Sequence, residues 1–145
     1  MSGGREMDFD EEILRPILES GVSLCQLVSH EWERVDGALI TAALRMNRTL
    51  YKWSGALRLQ RWNNNTSQFD AVDEMMPVEL MEWFRELEEQ SLLLMEDGHL
   101  LLDPNNAERA FIIWWLREMA RMPKHQKKCL VFGSVHPTCL LYTSP

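Results

Sequence analysis

The run Leu92-Leu93-Leu94-Met95 is apolar at four successive positions, and a strand with one wet face cannot be built that way. Successive side chains of a strand point to opposite faces, so both faces of this one must be covered. Helices packed on either side of a parallel sheet provide that cover. Three further segments read as strands: Ser23 to Val28, Leu50 to Trp53 and Cys129 to Phe132. They alternate with stretches of helical periodicity. Strand and helix in alternation predict an α/β domain, a three-layer αβα sandwich on a short, mainly parallel sheet.

The helical stretches carry their own start and stop signals. Phe9, Ile13, Leu14, Ile17 and Leu18 share a helical face, Asp8 with Glu11 resembles a capping box, and Gly21 is placed to end the segment. Trp32, Val35, Leu39, Ala42, Ala43 and Met46 define a second helix, for which Ser29 is the expected N-cap. Pro77 suits the first turn of a third helix bearing Leu80, Met81, Phe84 and Leu87. Asp103-Pro104 forms a cap and first-turn pair for a fourth, with Ala107, Phe111, Trp114, Trp115 and Met119, ending near Met122-Pro123. Between Trp53 and Pro77 the polar stretch Asn63 to Gln68 reads as a loop.

Several function classes are excluded by composition. At 145 residues with 46% hydrophobic content, the chain supports one core, and a domain of this size buries roughly 70% of its unfolded surface. Its apolar runs fall far short of the ~20 residues that cross a bilayer, and the start of the chain is polar and acidic, so no membrane partner is expected. A formal charge of −7 repels a phosphate backbone on average, which argues against nucleic acid. The basic cluster Lys124 to Lys128 reads as a solvated connection. Cys25, Cys129 and Cys139 include no Cys-x-x-Cys pair, which fits a reduced, cytoplasmic setting.

A nucleotide-binding sheet places a G-x-x-x-x-G-K-[ST] loop after its first strand, where backbone N–H groups wrap the phosphates. Here that turn is Ser29-His30-Glu31-Trp32-Glu33-Arg34, with no glycine and two carboxylates. The carboxylates would repel a triphosphate. Leu92 to Asp97 resembles a strand ending in the carboxylates that hold magnesium in phosphate-loop ATPases, yet Asp97-Gly98 equally serves to turn the chain. Arg34 is placed to reach Asp97 across the strand ends. His30, His99 and His136 each follow a strand and would share one sheet edge with Glu31 and Asp97, which leaves a small metal-dependent hydrolase as an alternative. Trp114 and Trp115 are ~100° apart on one helix, so one of them is expected to be partly exposed. A free-standing interaction module using that aromatic is a second alternative. Trp32, Trp53 and Trp83 read as core.

Four segments together carry a family resemblance: Ser29 to Val35 after the first strand, Leu50 to Ser54, Leu94 to His99, and Cys129 to Ser134. A Ser/Thr-x-Glu-x-x-Arg pattern is met by Ser29, Glu31 and Arg34, a Trp-Ser step by Trp53 and Ser54, and an Asp-x-His step by Asp97 and His99. Over about Ile13 to Pro137 the chain resembles the N-terminal region of a group of AAA-family ATPases, in which a degenerate, loop-less ATPase-like domain precedes the catalytic module. Trp32 stands where a second acid is common in that pattern, and Gly98 where an aromatic residue is usual. The resemblance implies a RecA/AAA-like fold without the phosphate-binding loop. It also implies a non-catalytic accessory domain, with no cofactor of its own, that docks on a downstream ATPase module or on neighbouring subunits. ATP and Mg would belong to that module, making the parent protein an ATPase.

The last seven residues, Cys139 to Pro145, read as the translation of a transposon-end adapter used in preparing sequencing libraries. The expected organisation is therefore one α/β domain over 1–138 and an artefact over 139–145, the natural protein continuing past about Thr138.

Overall fold

The structure, a computed structural model, describes residues 14–122 and 127–135. The expected Asp8–Glu11 capping box, Phe9, Ile13, Pro123, His136 and the tail from Cys139 lie outside those residues. At the centre is the strand that the apolar run demands. β5 (Ser91–Met95) is buried at all five positions, and its neighbour β6 (Lys128–Ser134) at all seven. With β1 (Leu24–Val28), β2 (Thr49–Ser54), β3 (Arg58–Asn63) and β4 (Gln68–Asp73), they form a six-stranded sheet of order β1-β6-β5-β2-β3-β4. β1, β6, β5 and β2 pair in parallel, whereas β2-β3 and β3-β4 pair antiparallel.

Helices cover both faces. On one, α1 (Leu14–Glu19) and α2 (Trp32–Met46) bury Leu18, Val35, Leu39, Ala42 and Ala43 against Leu50, Leu92, Leu94, Cys129 and Val131. On the other, α3 (Pro77–Glu86) and α5 (Arg109–Ala120) bury Leu80, Phe84, Ile112, Trp115 and Met119 against Trp53, Leu93, Met95, Leu130 and Phe132. Leu92 and Leu94 thus serve one layer while Leu93 and Met95 serve the other, which is why the run does not alternate. The protein is an α/β three-layer sandwich with a mostly parallel sheet.

Four local expectations are corrected. The stretch between Trp53 and Pro77 is not an irregular loop, because β3 and β4 form an antiparallel hairpin there. Its strands gave no apolar signal: β4 has no buried residue, and in β3 only Leu59 is buried. Asn63 to Gln68 closes this hairpin, with Asn63 Oδ1 accepting from the Asn65 N–H at 2.9 Å and Ser67 taking a left-handed φ of 55°.

Asp103-Pro104 does not start a long helix. Asp103 Oδ1 accepts from the Asn105 N–H at 2.8 Å in a turn of its own, a single helical turn α4 (Gly98–Leu101) precedes it, and α5 begins six residues later at Arg109. Ser29 is not the N-cap of α2, whose cap position is Glu31. Finally, Lys128 is no part of a solvated connection. It is buried at the start of β6, and its ammonium donates to the Phe84, Arg85 and Leu87 carbonyls at 2.8, 2.7 and 2.7 Å. Those carbonyls lie at the C-terminal end of α3, where helical donors run out; the Phe84 carbonyl also accepts from the Leu87 N–H at 3.3 Å, and a cation there meets the negative end of the helix dipole.

Candidate functional site

The sequence motifs meet where the parallel strands end. β1 leaves the sheet through a tight turn. The Ser29 N–H donates to the Ser134 carbonyl of β6 at 3.0 Å, and Ser29 Oγ accepts from the Glu31 N–H at 3.0 Å. The Glu31 carbonyl then accepts from the N–H groups of Arg34 and Val35, both at 3.1 Å. Arg34 forms an ion pair with Glu31, three residues back, at 2.7 Å. Thus the Ser-x-Glu-x-x-Arg pattern folds as one unit: Ser29 shapes the turn, Glu31 opens the helix, and Arg34 holds Glu31.

Trp32, the first residue of α2, lies across the end of β6. A Cβ built on Gly133 would fall 2.6 and 2.9 Å from two atoms of the Trp32 ring and 3.2 Å from the Met95 carbonyl. The indole therefore rests on a strand position that only glycine leaves bare. Gly98 makes a second such approach: its Cβ would lie 2.6 Å from the Phe132 ring and 2.7 Å from the Gly133 carbonyl. Asp97, just before it, takes φ 59° and its carbonyl accepts from the Leu100 N–H at 2.9 Å. Trp32 and Gly98 are thus the residues of these motifs that close on β6, at Gly133 and Phe132.

Trp53 and Ser54 fix the end of β2. Trp53 is buried, donates from Nε1 to the Met75 carbonyl at 2.8 Å, and its own carbonyl accepts from the Glu96 N–H at 2.9 Å. Ser54 Oγ accepts from the Leu57 N–H at 3.1 Å, turning β2 toward β3. His99 is half-buried in α4 and His30 is exposed in the β1 turn. Among the described residues, no group of three or more His, Cys, Asp or Glu side chains is placed to hold a metal ion. Cys25 and Cys129 are free thiols inside strands, and burial pushes both above the ordinary thiol range. Neither is an exposed thiolate of the kind that nucleophilic chemistry requires.

Sequence reasoning missed one charged group at this edge. Lys52 Nζ lies 2.9 Å from Asp36 Oδ2 of α2 and 4.0 Å from the centre of the Phe69 ring. Glu96 stands in the same field, its carboxyl held above the usual range by burial, with Asp36 and Asp97 adding to the rise and Lys52 opposing it. The Lys52 ammonium is thus paired with Asp36 and also acts on Glu96. The available signal was Lys52 itself, a charged residue between Tyr51 and Trp53, both buried.

Residues 9–139 match the family model described as SpoVK-like AAA ATPase, N-terminal domain. No curated protein and no solved structure matches the chain. The match spans nearly the whole chain, and the α/β sandwich with a mostly parallel sheet agrees with it. This chain belongs to the family of N-terminal domains of SpoVK-like AAA ATPases.

Proposed function

We propose that this chain is a non-catalytic accessory domain that docks, through its strand-end edge, on the ATPase module of its own protein or on a neighbouring subunit. The observation that carries this reading is the Trp32 indole seated on Gly133 directly after the β1 turn. In a nucleotide-binding sheet that place holds glycine-rich backbone wrapped around phosphates. Here an aromatic ring occupies it, and the helix behind it opens with Glu31 and Glu33, whose charges oppose a polyphosphate. ATP and Mg then belong to the ATPase module, and this domain needs no cofactor.

The edge is suited to a protein partner. His30, Glu31 and Glu33 are exposed beside the half-buried Asp97, and they project from backbone fixed by the Ser29–Ser134 and Glu96–Trp53 hydrogen bonds. Among the described residues no helix is long and apolar enough to cross a membrane, and the buried free thiols suit a reducing, cytoplasmic compartment. Hydrogen exchange tests the docking. Adding the protein's ATPase module in trans should slow exchange at residues 29–34 and 96–99, and Glu31→Lys with Glu33→Lys should reverse that slowing. Unchanged exchange at this edge when the module is bound elsewhere would refute the assignment.

A further inference from the structure

Independently of the strand-end edge, the outer surface of α3 and α5 carries a pattern that complements itself. Phe111 and Trp114 are 39% and 48% exposed, while Trp115 beneath them is buried. Their rings form one cluster, with Trp114 5.0 Å from Trp115 and 5.9 Å from Phe111. Toward the helix end the stripe continues as the half-buried Arg117 and, at the C-cap, the exposed Arg121, the latter loosely paired with Glu118 at 3.5 Å. The adjoining helix is opposite in sign. Its outward positions Glu79, Glu82 and Glu86 are all exposed at helical spacing. It packs directly beside α5, the Arg85 guanidinium lying 5.3 Å above the Trp115 ring.

We propose that this surface is an interface between two copies of the chain, related by a two-fold axis running between α3 and α5. Such an axis lays α5 of each copy on α3 of the other. Arg117 and Arg121 of one copy then face Glu82 and Glu86 of its mate, twice over, and the exposed aromatic rings are covered at the centre. A chain with net charge −7 repels copies of itself over most of its surface, so only a face with local complementarity brings two together. The area is small. Two helices of 10 and 12 residues offer roughly 20 by 18 Å, below the ~800 Å² per partner of a standard interface. The dimer is accordingly weak, populated at ~100 μM and dissociated at ~1 μM, and weakened further by salt.

Sedimentation of the 145-residue chain from ~1 to ~200 μM tests this. The expected result is a monomer–dimer equilibrium that Trp114→Glu abolishes. Because Trp114 is half exposed, its variant should keep the parent's circular dichroism and melting curve; Phe111→Ser is a second probe of the same cluster. Two double variants carry the decisive arm. Arg117→Glu with Arg121→Glu, and Glu82→Arg with Glu86→Arg, should each be monomeric alone and should form a mixed dimer when combined. A chain that stays monomeric throughout, which would leave this face to some other partner, overturns the proposal. So does a dimer indifferent to Trp114→Glu, or a failure of the two charge variants to pair.

Discussion

At the scale of single residues, Lys128 shows how far local pattern reading reaches. It closes the basic cluster Lys124 to Lys128, and a run of charge normally stays in water. No local rule reveals that its last member enters a buried strand and caps a helix distant in sequence. Replacing it by methionine keeps the volume but takes the ammonium donor from three carbonyls at the end of α3, of which that of Phe84 also accepts from the Leu87 N–H. Lys128→Met should cost about 2–3 kcal/mol, read as a lower urea midpoint at unchanged slope. Glu96 makes the opposite prediction. Its folded-state pKa is raised by burial first and by Asp36 and Asp97 next, against the pull of Lys52. The folded chain therefore holds this proton to higher pH than the unfolded chain does. The sign follows: stability from this group is greatest below the unfolded value and declines as pH rises through the folded one. Glu96→Gln should raise neutral-pH stability by ~0.5–1 kcal/mol and flatten the loss between mildly acidic and neutral pH in thermal melts.

At the scale of elements, legibility followed burial. β5 and α2 were readable because two-sided cover and one-sided cover leave different apolar patterns, a continuous run and a 3.6-residue period. The β3–β4 hairpin was not, because a strand with no buried residue carries no periodic signal; its one clue was the polar cluster from Asn63 to Gln68, which is also what a plain loop looks like. Of the site residues, the turn at Ser29 to Arg34 could be located, but not the landing place of Trp32. That contact joins α2 to β6, about 100 residues apart, and depends on a strand order the sequence does not encode locally. The contact itself can be measured. Gly133→Ala places a methyl group against the Trp32 ring and should cost about 1–3 kcal/mol. In a Trp32→Ala background that cost should fall substantially, a non-additivity seen in a double-mutant cycle of denaturation free energies. Strict additivity would mean that the ring does not rest there.

At the scale of the molecule, the sheet keeps the layered form in which nucleotide-binding folds place ligands at the carboxyl ends of parallel strands. What differs is the occupant of that edge. Trp32 covers β6 from α2, the turn through Asp97 and Gly98 covers it from β5, and Lys52 sits as a cation tethered to Asp36 in the field of Glu96. On the proposed accessory role, these internal groups take the place of an external ligand's phosphate or metal and the edge serves as a fixed, charged surface for a protein partner; the proposed contact between copies uses the separate outer face of α3 and α5.

Isothermal titration of Mg-ATP into the 145-residue chain is the decisive measurement. No saturable heat below ~1 mM nucleotide and no ATP-dependent change in Trp fluorescence are expected. A one-site isotherm with micromolar affinity, lost on substitution of the Ser29 to Arg34 turn, would contradict the proposed accessory role.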